Sequence, residues 1–289
     1  MSSASCDNNE CVAWITSRVV IVFAFALMGT VSNGLVLKIY MFSKGAKPQT
    51  GSQLYIVALA WIDLLGCLVI LPQATFAERQ LMPRIPFVAL NTFAKQAYLY
   101  VQVAMTFDRL LAVFRPHQFH RMRCRTNIVV GAVFAVQQLV IQATVVLRPY
   151  YNVNLIGLVV YIPSFALALT FMLVSYPAIA INLYRQSRRI QQAPATATSQ
   201  HHVSESQERA KYHVKTLKIY VAILVLYLFS SVPSLLVLAS DYDDDADYRW
   251  VGYLYYINNI GNPVIYYAFN DKFRQEVKTL LRSMFRCRS

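Results

Sequence analysis

Apolar and polar positions alternate along this chain in long blocks. Seven apolar stretches stand out: Val19–Leu37, Leu54–Phe76, Ile85–Phe107, Ile128–Leu147, Leu155–Leu183, Ile219–Ser240 and Trp250–Phe269. They run 19, 23, 23, 20, 29, 22 and 20 residues, and a helix that crosses a bilayer needs about 20. Within them Asp63 is the one acid and Lys95 the one base. Surface helices of soluble proteins carry a polar face, and these stretches have almost none. The pattern predicts an all-α membrane protein built as a seven-transmembrane helix bundle. Beyond the seventh stretch, Phe269, Phe273, Val277, Leu280 or Leu281, and Met284 recur at helical spacing, with Lys272, Arg274, Lys278 and Arg282 between them. That predicts a short, basic, amphipathic helix lying at the membrane surface. The expected division is a tail at 1–18, the bundle at 19–269, and the amphipathic helix with its tail at 270–289. The longest inter-span segment, 184–218, has 35 residues. Soluble domains rarely fall below about 50, so no appended domain is expected. Gln191–Gln207 reads as a polar linker with Ser204 and Ser206 as candidate phosphoacceptors, and His201-His202 reads as part of it rather than as a metal site.

Composition agrees with this division. The 289 residues are 56% hydrophobic and only 14% charged, with a net charge of +13. A basic balance of that size invites a nucleic-acid reading, but the charges sit on one side of the membrane. Segments 38–53, 108–127, 184–218 and 270–289 hold 3, 5, 7 and 6 Lys and Arg, 21 of the 27. Basic residues mark cytoplasmic loops, so the N-terminus is expected outside the cell, the C-terminus inside, and the chain in the plasma membrane. The basic face then suits anionic lipids and an intracellular partner, and no nucleic acid. Asp241, Asp243, Asp244, Asp245 and Asp247 crowd the last outer loop. The first stretch is expected to serve as an uncleaved anchor. Cys6 and Cys11 fall outside, where either a disulfide or two free thiols is compatible with their spacing.

Four motifs lie at matching depths. The first span carries Gly29-Thr30-Val31-Ser32-Asn33-Gly34-Leu35-Val36-Leu37, and the second Leu59-Ala60-Trp61-Ile62-Asp63-Leu64-Leu65. The third ends Asp108-Arg109-Leu110-Leu111-Ala112-Val113-Phe114-Arg115-Pro116. The seventh holds Asn262-Pro263-Val264-Ile265-Tyr266, followed by Phe269 and Phe273-Arg274. Together and in this order, they resemble the rhodopsin-like family of G-protein-coupled receptors, over all seven spans and the tail helix.

The resemblance implies roles. Arg109 would be the switch residue, restrained by Asp108 at rest and part of the G-protein cavity when active. Pro233 would be the hinge on which the sixth span swings outward, and Tyr176 and Tyr266 would approach Arg109 after the swing. Asn33, Asp63, Asn258 and Asn262 would form a polar cluster, which binds sodium in relatives. Here Tyr98 and Ser231 stand where Ser and Trp are usual, which weighs against sodium, and no other cofactor is implied. A heterotrimeric G protein is the implied inner partner, with arrestin a further candidate, and a small molecule, lipid or peptide the outer ligand. Cys287, just past the amphipathic helix, is a candidate palmitoylation site.

The departures from the family pattern are also specific. Arg84 stands at the third-span position of the usual disulfide, and segment 148–154 has no Cys. Span four lacks its usual Trp, and Ala168 replaces the usual Pro of span five. On the ligand side, Asn91, Lys95, Tyr98, Gln102, Met105 and Arg109 follow spacings of four and three, which puts them on one face of the third span. Asn91 and Lys95 are the candidate pocket residues. Asn91 stands where amine receptors hold an Asp, which disfavours a biogenic amine. Tyr256 stands at the retinal-bearing position of opsins, so a Schiff base is excluded by this alignment. Lys95 needs a compensating group in the membrane: water, Asp63, or an anionic group of a ligand. A transporter or channel would be expected to show internal repeats or further intramembrane charges, and an enzyme a nucleophile–base cluster. Neither is present in the spans.

Overall fold

A computed structural model describes residues 9–42, 51–70, 84–147, 154–191, 197–239 and 251–286. Eight helices account for nearly all of them. They are α1 (Asn9–Phe42), α2 (Gly51–Leu65), α3 (Arg84–Phe114), α4 (Phe119–Leu147), α5 (Asn154–Gln191), α6 (Ala197–Ala239), α7 (Val251–Phe269) and α8 (Asp271–Arg286). A π-helical turn, Gly66–Ile70, continues α2, and a 3₁₀ turn, Pro116–Gln118, links α3 to α4.

Among the described residues, five helices are long and apolar enough to cross a membrane: Val19–Phe42, Ala89–Phe114, Arg121–Thr144, Ile162–Arg188 and Lys211–Pro233. Gln53–Val69 is a shorter apolar helix. The expected second stretch, Leu54–Phe76, is described only to Ile70. Helix α7 is not among the five; Asn258, Asn259, Asn262 and its tyrosines interrupt its apolar run.

The helices form a closed ring in which each packs on the next and α7 returns to α1, while α3 also touches α5 and α6. The packing inverts that of a soluble protein. Val20, Leu27, Val31, Leu139, Leu167, Val174 and Phe229 face outward, whereas Asn33, Asp63, Gln96, Thr106, Asn258 and Asn262 are fully buried. In hydrocarbon, backbone polar groups must bond within their own helix, and polar side chains turn inward. This is an all-α membrane helical bundle.

The helices extend beyond the apolar stretches. Gln191–Gln207, expected as a linker, is helical from Ala197 onward. The span below nucleates the helix, and Glu205, Gln207, Glu208, Arg209 and Lys211 are good helix formers that propagate it into water. Helix α5 contains Pro163 and Pro177, α6 contains Pro233 and α7 contains Pro263. Each proline removes one i→i−4 hydrogen bond and leaves a carbonyl to be satisfied otherwise.

Small residues set the distance between α1, α2 and α7. A β-carbon at Gly29 would lie 2.2 Å from Cys67 Sγ, and one at Gly66 would lie 2.3 Å from Asn259 Nδ2. Cys67 is fully buried. Gly29→Ala is therefore expected to destabilise the purified protein by about 1–3 kcal/mol, the usual cost of overpacking. Adding Cys67→Ala removes the clashing sulfur, so thermal unfolding should show the double variant more stable than Gly29→Ala alone.

Candidate functional site

Two polar sites lie on the inner faces of the helices. The first is a knot near the middle of the bundle. Asn262 Nδ2 on α7 donates to Asp63 Oδ2 on α2 at 2.8 Å. The Tyr98 hydroxyl on α3 donates to Asn262 Oδ1 at 3.1 Å and lies 3.0 Å from its Nδ2. All three side chains are fully buried. Gln102 and Asn258 also face the Tyr98 hydroxyl, and its ring stacks on Tyr227 of α6 at 5.0 Å between centroids.

Asn33 joins the knot through the backbone. Its Nδ2 donates to Asn259 O of α7 at 2.7 Å and to Gly29 O of its own helix at 2.9 Å. Asn259 is four residues before Pro263, so its carbonyl is the one that the proline deprives of a helical donor. A side chain of α1 thus supplies what the sequence of α7 removes. Among the described residues, Asp63 Oδ1, Asn33 Oδ1, Asn259 Nδ2 and Ser231 Oγ find no protein hydrogen-bond partner. Buried polar atoms of this kind are normally served by ordered water.

The second site lies at the end of α3. Arg109 Nη2 meets Asp108 Oδ2 at 3.0 Å, and Arg123 Nε from α4 meets Asp108 Oδ1 at 3.0 Å. One carboxylate thus holds two guanidinium groups. Across the bundle, the Arg109 guanidinium carbon lies 5.4 Å from the centroid of the Tyr220 ring on α6, within cation–π range. Arg109 is buried between these groups, 4% exposed. Thr106, one turn before, donates to the Tyr176 hydroxyl of α5 at 3.1 Å. Tyr266 of α7 is fully buried and packs edge-on against Phe273 of α8 at 6.2 Å.

The candidate residues thus fall into these two sites. Asp63, Asn262, Asn258 and Asn33 gather at the first, Asp108 and Arg109 at the second, and Tyr176 reaches the second through Thr106. Pro233 and Pro263 lie inside their helices. Lys95 is half-buried on α3, and Asp63 takes Asn262 as its hydrogen-bond partner. Asn91 Oδ1 is buried without a protein partner among the described residues. Cys6, Cys287 and Asp241–Asp247 lie outside the described residues, and the side chains of Ser204 and Ser206 do too.

Some members of these sites are not identified by sequence motifs alone. Tyr227 and Tyr220 are two of 19 tyrosines, although their seven-residue spacing puts both on one face of α6. Arg123 reads as one more loop base. Asn259 contributes through its backbone, and the signal for it is Pro263 four residues later.

Residues 32–266 match the family model for the 7 transmembrane receptor (rhodopsin family). No curated protein matches the chain significantly.

The knot gives a direct test. Tyr98→Phe keeps the ring stack and removes the hydroxyl that serves Asn262. Leaving a buried amide oxygen without its donor costs about 1–3 kcal/mol. Tyr98→Phe should therefore lower the Tm of the purified protein measurably, with the helical circular dichroism signal unchanged.

Proposed function

The chain belongs to the rhodopsin family of seven-transmembrane receptors, and on that footing we propose that it binds an extracellular ligand and activates a heterotrimeric G protein. The N-terminus faces outward from the plasma membrane, as the placement of 21 of 27 basic residues on the other side supports. The observation that carries the reading is the double restraint on Arg109. Asp108 holds it by charge within α3, and Tyr220 covers it from α6. Any outward movement of α6 carries the Tyr220 ring away and opens the cavity around Arg109 to an intracellular partner. Pro233, thirteen residues further along α6, supplies the hinge. Tyr176 and Tyr266 then move to the vacated side of Arg109. Agonist binding favours the open arrangement because the ligand binds it more tightly than the closed one. Arrestin would use the same opened face.

The polar knot transmits this change without a resident sodium ion. The Tyr98 phenol bonds Asn262, which in turn holds Asp63, where a small hydroxyl would leave room for a cation. Water bonded to the remaining polar atoms is sufficient. The ligand pocket lies one turn and more outward, at Asn91 and Lys95. Lys95 is 14 residues from Arg109, about 21 Å at 1.5 Å per residue, so it sits in the outer half of the membrane. An ammonium at that depth suits an acidic group on the ligand, a carboxylate or phosphate. Helix α8 lies on the inner leaflet with its basic residues toward anionic lipid headgroups, and palmitoylation at Cys287 would anchor its end.

Three experiments test this reading. An epitope at residue 1 should stain intact cells, whereas one at residue 289 should need permeabilisation. At matched surface staining, Arg109→Ala should abolish G-protein activation, and undiminished signalling would refute the reading. For an anionic agonist, Lys95→Met should cost at least about tenfold in potency, a loss of about 1.4 kcal/mol, and Lys95→Arg should cost less. Equal potency of Lys95→Met and wild type would remove Lys95 from the pocket.

A further inference from the structure

The inner end of α6 is tied to a second element besides α3. Lys215, on α6, forms an ion pair with Asp271, the first residue of α8. Arg274, one turn along α8, pairs with the same carboxylate. The hydrogen bonds from Lys215 and then Arg274 hold the Asp271 carboxyl below its ordinary range, so it is charged at neutral pH.

Helix α8 is itself fixed to α1. Asn270, at the α7–α8 junction, donates to the Tyr40 hydroxyl at 2.8 Å, and its side-chain oxygen accepts the Phe273 N–H at 3.2 Å. The Tyr40 and Phe273 rings stack at 6.0 Å with planes 9° apart. Phe273 and Val277 are buried against the bundle. The start of α8 is therefore a rigid post, and α6 is the helix whose displacement opens the cavity. An ion pair between them lies across the path of that displacement. The Tyr220 ring is a clasp on Arg109 from the same helix, α6.

We propose that Lys215 and Asp271 form an ionic latch between α6 and α8 that sets the receptor's agonist-independent activity, with Arg274 on the other carboxylate oxygen orienting Asp271 toward Lys215. The inference rests on the proposed movement of α6. The pair is exposed, with side-chain exposures of 42% and 59%. Exposed pairs are weak and screened by salt, which suits a latch meant to open. Its loss should raise basal signalling roughly two- to fivefold, the factor that such a pair can support. Removal of Arg274 should raise basal signalling by less than loss of Asp271 does, because the carboxylate keeps Lys215 but loses the partner that orients it.

The test uses the full-length receptor at matched surface level. Asp271→Asn and Lys215→Glu should each raise basal activity, and the charge-swapped pair Lys215→Asp with Asp271→Lys should return it toward wild type. A second measurement needs no G protein. Spin labels on genetically encoded amino acids at positions 211 and 278 report the α6–α8 distance in purified receptor in lipid nanodiscs. Asp271→Asn should shift the distribution to longer distances, and Arg274→Ala should shift it less. A distance distribution unchanged by Asp271→Asn would overturn the latch whatever the signalling assay shows. A shifted distribution supports the latch, and if no G protein responds to any variant, the coupling assignment alone fails. Basal activity that rises with Asp271→Asn but is not restored by the charge swap would also overturn the latch.

Discussion

Hydrocarbon gives a polar group nothing to bond to, and every feature of this bundle follows from that constraint. The carboxyl group of Asp63 and the amides of Asn33, Asn258, Asn259 and Asn262 have to meet one another, the backbone or trapped water. Asp63, Asn262 and Tyr98 meet directly, and Asn33 meets the carbonyl that Pro263 leaves free. The knot therefore ties α1, α2, α3 and α7 together at one depth. Gly29 and Gly66 let the backbones come close enough for those bonds to form.

Helix α6 stands outside this set of hydrogen bonds. It contacts α3 through two tyrosines seven residues apart, Tyr227 on the ring of Tyr98 and Tyr220 over Arg109. Both contacts are aromatic faces that can slide and separate at modest cost, about 0.5–1.5 kcal/mol for an aromatic pair beyond its buried area. Helix α6 also packs on α5 and α7, and in the proposed mechanism it is the helix that moves against the hydrogen-bonded part of the bundle. Arg123 holds one oxygen of Asp108 while Arg109 holds the other.

Much of this was legible in the sequence, for reasons of scale. An apolar run of twenty residues has few alternatives to a span, and a lone Asp in such a run must face inward. The pairing of Asp63 with Asn262 follows from two intramembrane polar residues at similar depth. Other features were obscured because they depend on context. Tyr98 reads as a misfit beside Asp63, yet its hydroxyl completes the knot. Polar composition suggested a linker before α6, but composition does not report where a helix nucleated by a span stops growing. Arg123, Lys215 and Asp271 look like solvated loop charges, and only the packing of α4, α6 and α8 brings each to its partner.

The Asp63–Asn262 hydrogen bond holds α2 and α7 in register. A double-mutant cycle on purified receptor measures it most directly, with Asp63→Asn, Asn262→Asp and the exchanged pair compared by thermal unfolding. Asn262→Asp places two acids side by side and Asp63→Asn replaces the acid that accepts from Asn262 with an amide, so each single change should lower the Tm. The exchanged pair restores one acid facing one amide and should recover most of the loss, a coupling of at least about 1 kcal/mol. A double variant whose destabilisation equals the sum of the two single changes would contradict the account.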